Sequence, residues 1–151
     1  VAEGQALKLI VLGNLAATLC MVGAIWIVQV VHYPLFNQVG EAGFAAYEAA
    51  HSGLITLVVG PLMLVEAGTA LLLALDPPAP IPAGLAWFGV ILVGVVWFST
   101  MFLQVPQHNI LAGGFNADAY RFLVDSNWIR TIAWSLRGLI ALWMAAQLMG
   151  A

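Results

Sequence analysis

Charge is nearly missing from this chain. Only 7% of its 151 residues are Asp, Glu, Lys or Arg, against roughly 25% in ordinary soluble domains. Four basic residues and a net charge of -3 leave no basic patch for nucleic acid, which excludes that class of partner. A single cysteine, Cys20, excludes an internal disulfide. Polar/apolar alternation is missing from the hydrophobic runs, which excludes a membrane β-barrel. What is abundant is apolar side chain, 63% of the chain, with a mean hydropathy of +1.00.

That apolar material is gathered into four runs, Ala6–Val31, Leu54–Leu75, Leu85–Leu103 and Ile129–Leu148. Each has the roughly 20 residues that cross a bilayer as a helix. The first run is too long for the apolar core of a signal peptide and is read as a permanent helix. The expected fold is therefore all-α, an antiparallel four-helix transmembrane bundle forming a single integral membrane domain over residues 1–151. Such a count of crossings puts long loops 33–53 and 106–128 on one side and the proline-rich connection 76–84 on the other. Arg121 and Arg130 at the long-loop side, against Lys8 at the other, make the long loops cytoplasmic by the positive-inside rule.

The proline-rich connector divides the chain into two hairpins of similar design. Each has a first helix expected to end near a proline, with a histidine close by (Pro34 with His32, Pro106 with His108), followed by Gly-Phe and Ala-Tyr pairs, which hints at a duplication. The stretches 41–50 and 116–124 read as short surface helices over the bundle end, the second capped by Asn116 or Asp118. Tyr33 and Trp128 suit an interfacial aromatic belt, and Trp134 suits packing between helices.

Polar residues within the apolar runs fall on stripes at helical spacing. Asn14, Thr18, Gln29 and His32 share a face of the first helix, and Trp97, Met101, Gln104 and His108 a face of the third. Asn127, Arg130, Trp134, Arg137, Ala141 and Met144 form the stripe of the fourth. These stripes are expected to meet along a bundle axis. Glu66 and Arg137 stand deepest. A lone charge at helix centre costs roughly 2.5–3.5 kcal/mol, so these two are expected to form an intramembrane ion pair.

All three histidines, His32, His51 and His108, come at one end and from three different helices. Neutral imidazoles suit a transition metal such as zinc, copper or iron, and three of them leave a coordination position open. A haem or pigment is the alternative occupant. Glu48, Tyr47 and Gln107 are near enough in sequence to serve as a fourth ligand or to support the ligands, and Gln29, Gln104 and Asn127 share the level as cofactor contacts. Arg130 suits an anionic or carbonyl group of an apolar small molecule, and with Glu48 it forms the candidate catalytic pair.

The motifs Val30-Val31-His32-Tyr33-Pro34-Leu35-Phe36, Pro61–Glu66, Val105-Pro106-Gln107-His108-Asn109 and Asn127-Trp128-Ile129-Arg130-Thr131 resemble a largely uncharacterised family of small bacterial four-helix membrane proteins. The final helix is also distantly similar to that of anthrone oxygenase-like membrane proteins. These resemblances imply a bacterial inner-membrane location and oxidation of an apolar, polycyclic or quinone-like substrate. Three functions follow: a membrane oxidoreductase or oxygenase, a non-catalytic accessory subunit bound to other membrane subunits, and a small transporter gated at Glu66 and Arg137.

Overall fold

The computed structural model describes residues 2–149. Among them there is no strand, and four helices are long and apolar enough to cross a membrane: α1 (Gly4–Phe36), α2 (Glu41–Leu75), α3 (Ala83–Leu111) and α4 (Ala117–Met149). They pack as a square, α1 against α2 and α4, and α3 against α2 and α4. Short connections between consecutive helices make neighbours antiparallel. The chain is an all-α four-helix bundle with the character of an integral membrane protein, its outward faces carrying Leu9, Leu12, Leu57, Leu64, Phe98 and Leu139.

The helices are longer than the apolar runs. Spans of 29 to 35 residues measure about 44–53 Å at about 1.5 Å per residue, against a hydrocarbon core of about 30 Å. The stretches expected as long loops, 33–53 and 106–128, are almost wholly helical, and residues 41–50 and 117–124 are the first turns of α2 and α4 rather than separate surface helices. Asn116 caps α4, its Oδ1 accepting from the backbone N–H groups of Asp118 and Ala119 at 3.1 and 2.9 Å.

Two prolines that were expected to end helices are carried through by a local widening. The segments Val28–His32 and Thr100–Gln104 are π-helical, with the Tyr33 N–H bonded to the Val28 carbonyl and the Val105 N–H to that of Thr100. Pro34 and Pro106 each follow by two residues. A proline ring clashes with the carbonyl four residues back in a regular helix, and one extra residue in the turn relieves that clash. The same insertion rotates the helix face. Met101, expected on the inner stripe of α3, is 55% exposed, while Ser99 and Gln104 are buried. Pro61 interrupts nothing, and α2 runs continuously through it.

The interior has two apolar clusters. The larger fills the bundle and includes Met21, Ile25, Met63, Leu92, Val96 and Trp134. The smaller caps one end with Tyr33, Phe36, Phe44, Leu111, Ala119 and Leu123. Buried polar side chains fall at two levels, Gln29, Glu48, Gln104, Asn127 and Arg130 near the smaller cluster and Asn14, Thr18, Glu66 and Arg137 within the larger.

Candidate functional site

The first turns of α2 and the π turns of α1 and α3 bring His32, His51 and His108 together. His32 Nε2 and His51 Nδ1 share a hydrogen bond of 2.8 Å, and their ring centroids are 4.6 Å apart. His51 and His108 rings are 5.4 Å apart. The common neighbour of all three is Phe36, fully buried, with its centroid 5.1 Å from His32, 5.1 Å from His51 and 6.4 Å from His108.

As placed, the three imidazoles are engaged with neighbouring side chains rather than aimed at one shared point. Two imidazole nitrogens on one zinc lie about 3.3 Å apart around a shared centre, from bonds of about 2.0 Å at tetrahedral angles. Here the His32 and His51 nitrogens meet each other directly. Both nitrogens of His108 are engaged elsewhere, Nδ1 with Glu48 Oε1 at 2.6 Å and Nε2 with the Tyr33 hydroxyl at 3.1 Å. Among the described residues no group of three or more His, Cys, Asp or Glu side chains is set to hold a metal ion.

What the residues build instead is a directed hydrogen-bond chain. Arg130 can only donate, and its Nη2 donates to the Tyr33 oxygen at 3.1 Å. The Tyr33 O–H is then free to donate to His108 Nε2, and the His108 Nδ1–H to Glu48 Oε1. Glu48 is fully buried; its Oε1 also accepts from Ser52 Oγ at 2.9 Å, and its Oε2 has no partner. Four helices supply this chain: Tyr33 from α1, Glu48 from α2, His108 from α3 and Arg130 from α4.

Of the remaining polar residues at this level, Asn127 and Thr100 hold Arg130 in place and Gln29 and Gln104 brace the helices around it. Asn127 Oδ1 accepts from Arg130 Nε at 2.9 Å and Nη2 at 2.5 Å, and Thr100 Oγ1 lies 3.4 Å from Nη1. Asn127 Nδ2 donates to Gln29 Oε1 at 2.8 Å, and Gln29 Nε2 to the Val124 carbonyl at 3.2 Å. Gln104 accepts from Ser99 at 2.9 Å and donates to Ser126 at 3.1 Å. Gln29 and Asn127, expected to touch a cofactor, are thus internal braces. Gln107 is half-buried and takes no part in these hydrogen bonds.

Beneath the chain lies a cavity of about 270 Å³. Tyr33, His51, His108, Arg130, Thr100 and Gln104 form its polar end, and its walls are apolar side chains such as Ile25, Val59 and Met63. Val28, Thr100 and Gln104 come from the two π turns, so the widened turns that accommodate the prolines also shape the cavity wall. Leu54 is the last large exposed apolar residue of α2 toward this end, which sets Glu48 and His51 at the rim of the apolar band.

Deeper in the bundle, Glu66 and Arg137 do meet, at 3.7 Å between Oε1 and Nε, without a direct hydrogen bond. Glu66 accepts instead from Thr18 Oγ1 at 2.9 Å and from Trp134 Nε1 at 2.8 Å. Arg137 Nη2 donates to Asn14 Oδ1 at 3.1 Å, and Asn14 Nδ2 to Thr69 Oγ1 at 2.9 Å. Gly89 makes room for the guanidinium: a Cβ there would stand 3.0 Å from Arg137 Nη1. The group is a structural tie between α1, α2 and α4, separate from the histidine level.

Two residues escaped the sequence reading. Tyr33, assigned to an interfacial belt, is 2% exposed and sits at the centre of the chain. Its place beside His32 and one turn past Gln29 of the inner stripe carried the only signal. Trp134, assigned to packing, lines the cavity and also bonds Glu66. No family model, curated protein or solved structure matches the chain.

Proposed function

We propose that the protein is a membrane-embedded enzyme of the oxidoreductase or oxygenase class that takes an apolar, oxygen-bearing aromatic molecule into the cavity and moves a proton at that oxygen through Tyr33. The observation that carries this reading is the one-directional chain Arg130 to Tyr33 to His108 to Glu48, built from four helices and opening on an apolar cavity. A buried tyrosine backed by an imidazole and a carboxylate follows the logic of an activated nucleophile or base, in which the third group orients the second. Tyr33 passes its proton to His108 and receives the substrate's; dissolved dioxygen is the oxidant, a hydroquinone giving up two electrons and two protons to form the quinone and hydrogen peroxide. Glu48 holds the imidazolium so formed, and Arg130 lies against the Tyr33 oxygen, which carries negative charge between the two transfers. The apolar walls exclude water and strengthen each of these interactions.

The test uses the whole protein in phosphatidylcholine nanodiscs. Naphthols, anthrones and hydroquinones are supplied in air, with oxygen uptake and product absorbance followed. Turnover of at least one of these is expected, falling about 10²–10⁴-fold in Tyr33→Phe, while ligand quenching of tryptophan fluorescence is retained. Equal turnover in Tyr33→Phe, or no binding by any compound, overturns the proposal. Metal analysis of the same preparation separates it from a histidine metal centre: one equivalent of zinc, copper or iron that is lost in His32→Ala would refute the hydrogen-bonded arrangement.

A further inference from the structure

A second depression abuts the cavity from outside. It is a groove of about 500 Å³ between α1 and α2, lined by Ile27, Ala50, Leu54, Ile55, Val58 and their neighbours. Its only polar side chains are His32, Tyr47 and His51, all at one end. Ala24, Val28, His51 and Ile55 line both the groove and the cavity, so a single layer of side chains separates the two.

The groove follows α2 from Tyr47 to Val58, about 16 Å at about 1.5 Å per residue. Tyr47 stands at the rim of the apolar band and Val58 within it. An amphiphile in a bilayer lies the same way, with its polar head at the rim and its chain running inward. We propose that the groove holds the hydrocarbon chain of the cavity's own ligand, so that the substrate class is an oxygen-bearing aromatic ring with a long linear apolar tail, taken directly from the bilayer.

This inference rests on the cavity reading above and narrows it. A tail already dissolved in lipid gains no hydrophobic free energy by entering the groove, because lipid is as apolar as the groove wall. What the groove supplies is alignment: a tail seated there leaves the ring at His51, beside Tyr33 and His108. The His32–His51 hydrogen bond ties α1 to α2 across this junction. Breaking it releases the His51 ring from the shared wall, which makes the pair the closure between bilayer and cavity.

The experiment locates the tail. The probe is 2-methyl-1,4-naphthoquinone carrying a farnesyl-length chain that ends in a diazirine, irradiated with the full protein in phosphatidylcholine nanodiscs. Labelled residues are mapped by peptide mass spectrometry. The expected labels are on Ile27, Leu54, Ile55 and Val58, at least fivefold over Leu9, Leu64, Phe98 and Leu139. They are displaced by excess untailed 2-methyl-1,4-naphthoquinone and reduced at least fivefold in Ala50→Trp. Uniform labelling of all lipid-facing residues overturns the inference. So does equal groove labelling by a diazirine palmitate that the untailed ring does not displace. Quenching of tryptophan fluorescence by the untailed ring reports the cavity separately. If it persists while the tail labels elsewhere, only the groove assignment fails; if it is absent, the cavity reading fails with it.

Discussion

Tyr33 and Glu66 show how differently two buried oxygen-bearing side chains can be used in one small bundle. Tyr33 has a donor on one side and an imidazole on the other, a directional arrangement able to pass a proton. Glu66 has donors only, Thr18, Trp134 and the nearby Arg137, an arrangement that fixes a charge and passes nothing. The two levels therefore respond differently to substitution. Glu66→Gln leaves Arg137 buried with one neutral partner, Asn14, and an Nε already without a hydrogen bond. Removing one member of a buried pair typically costs about 3–5 kcal/mol, whereas replacing both by apolar groups of similar shape is close to neutral. Glu66→Gln is expected to lower the denaturant unfolding midpoint strongly, and Glu66→Gln combined with Arg137→Met to recover most of the loss. An equal loss in single and double variants would show that the pair is not coupled.

At the level of the helix, the π turns explain both what the sequence revealed and where it misled. Asn14, Thr18 and Gln29 on α1, and Asn127, Arg130, Trp134, Arg137, Ala141 and Met144 on α4, are buried as their spacing implies, because four helices leave one place for polar groups away from lipid. On α3 the reading fails at Met101, where the inserted residue rotates the face. Helix ends were misplaced for a related reason. Hydropathy reports the apolar band, and prolines read as terminators, yet the π turns let α1 and α3 continue past them. The gathering of the three histidines was legible from crossing parity alone. Their hydrogen bonding was not, since it depends on Phe36 and Tyr33, whose inward aim is set by the same turns. The link between proline and π turn is open to measurement. Deleting Val31 returns the turn to α geometry and drives Pro34 against a carbonyl, at about 3 kcal/mol. In a Pro34→Ala background the same deletion is expected to cost about 2–3 kcal/mol less. Equal costs in the two backgrounds would mean that the proline does not require the π turn.

Across the whole molecule, the two hairpins repeat more closely in backbone than in side chain. Both π segments and both prolines recur at a separation of 72 residues, which pairs His32 with Gln104 and Phe36 with His108. The two histidines beside prolines are therefore not counterparts, and the site draws different groups from the two halves. Packing also changes the charge count that bears on orientation. Arg130 lies inside the bundle and not in a loop, so exposed Arg121 at the site end stands against exposed Lys8 at the other. One basic residue at each end gives the positive-inside rule nothing to choose between. Which ends share a side is nevertheless fixed by the antiparallel fold. The connection at residues 37–40 and that at 112–116 must face one aqueous phase, and the turn after Asp76 the other. Cys20 is the chain's only cysteine, so a Cys20→Ser background carries single reporters cleanly. A membrane-impermeant maleimide is expected to reach Gln38→Cys and Ala112→Cys from the same side of sealed vesicles, and Asp76→Cys only after the opposite side is opened. Labelling of Gln38→Cys and Ala112→Cys from opposite sides would break the four-crossing topology, and with it the convergence of Tyr33, Glu48, His108 and Arg130 at one level.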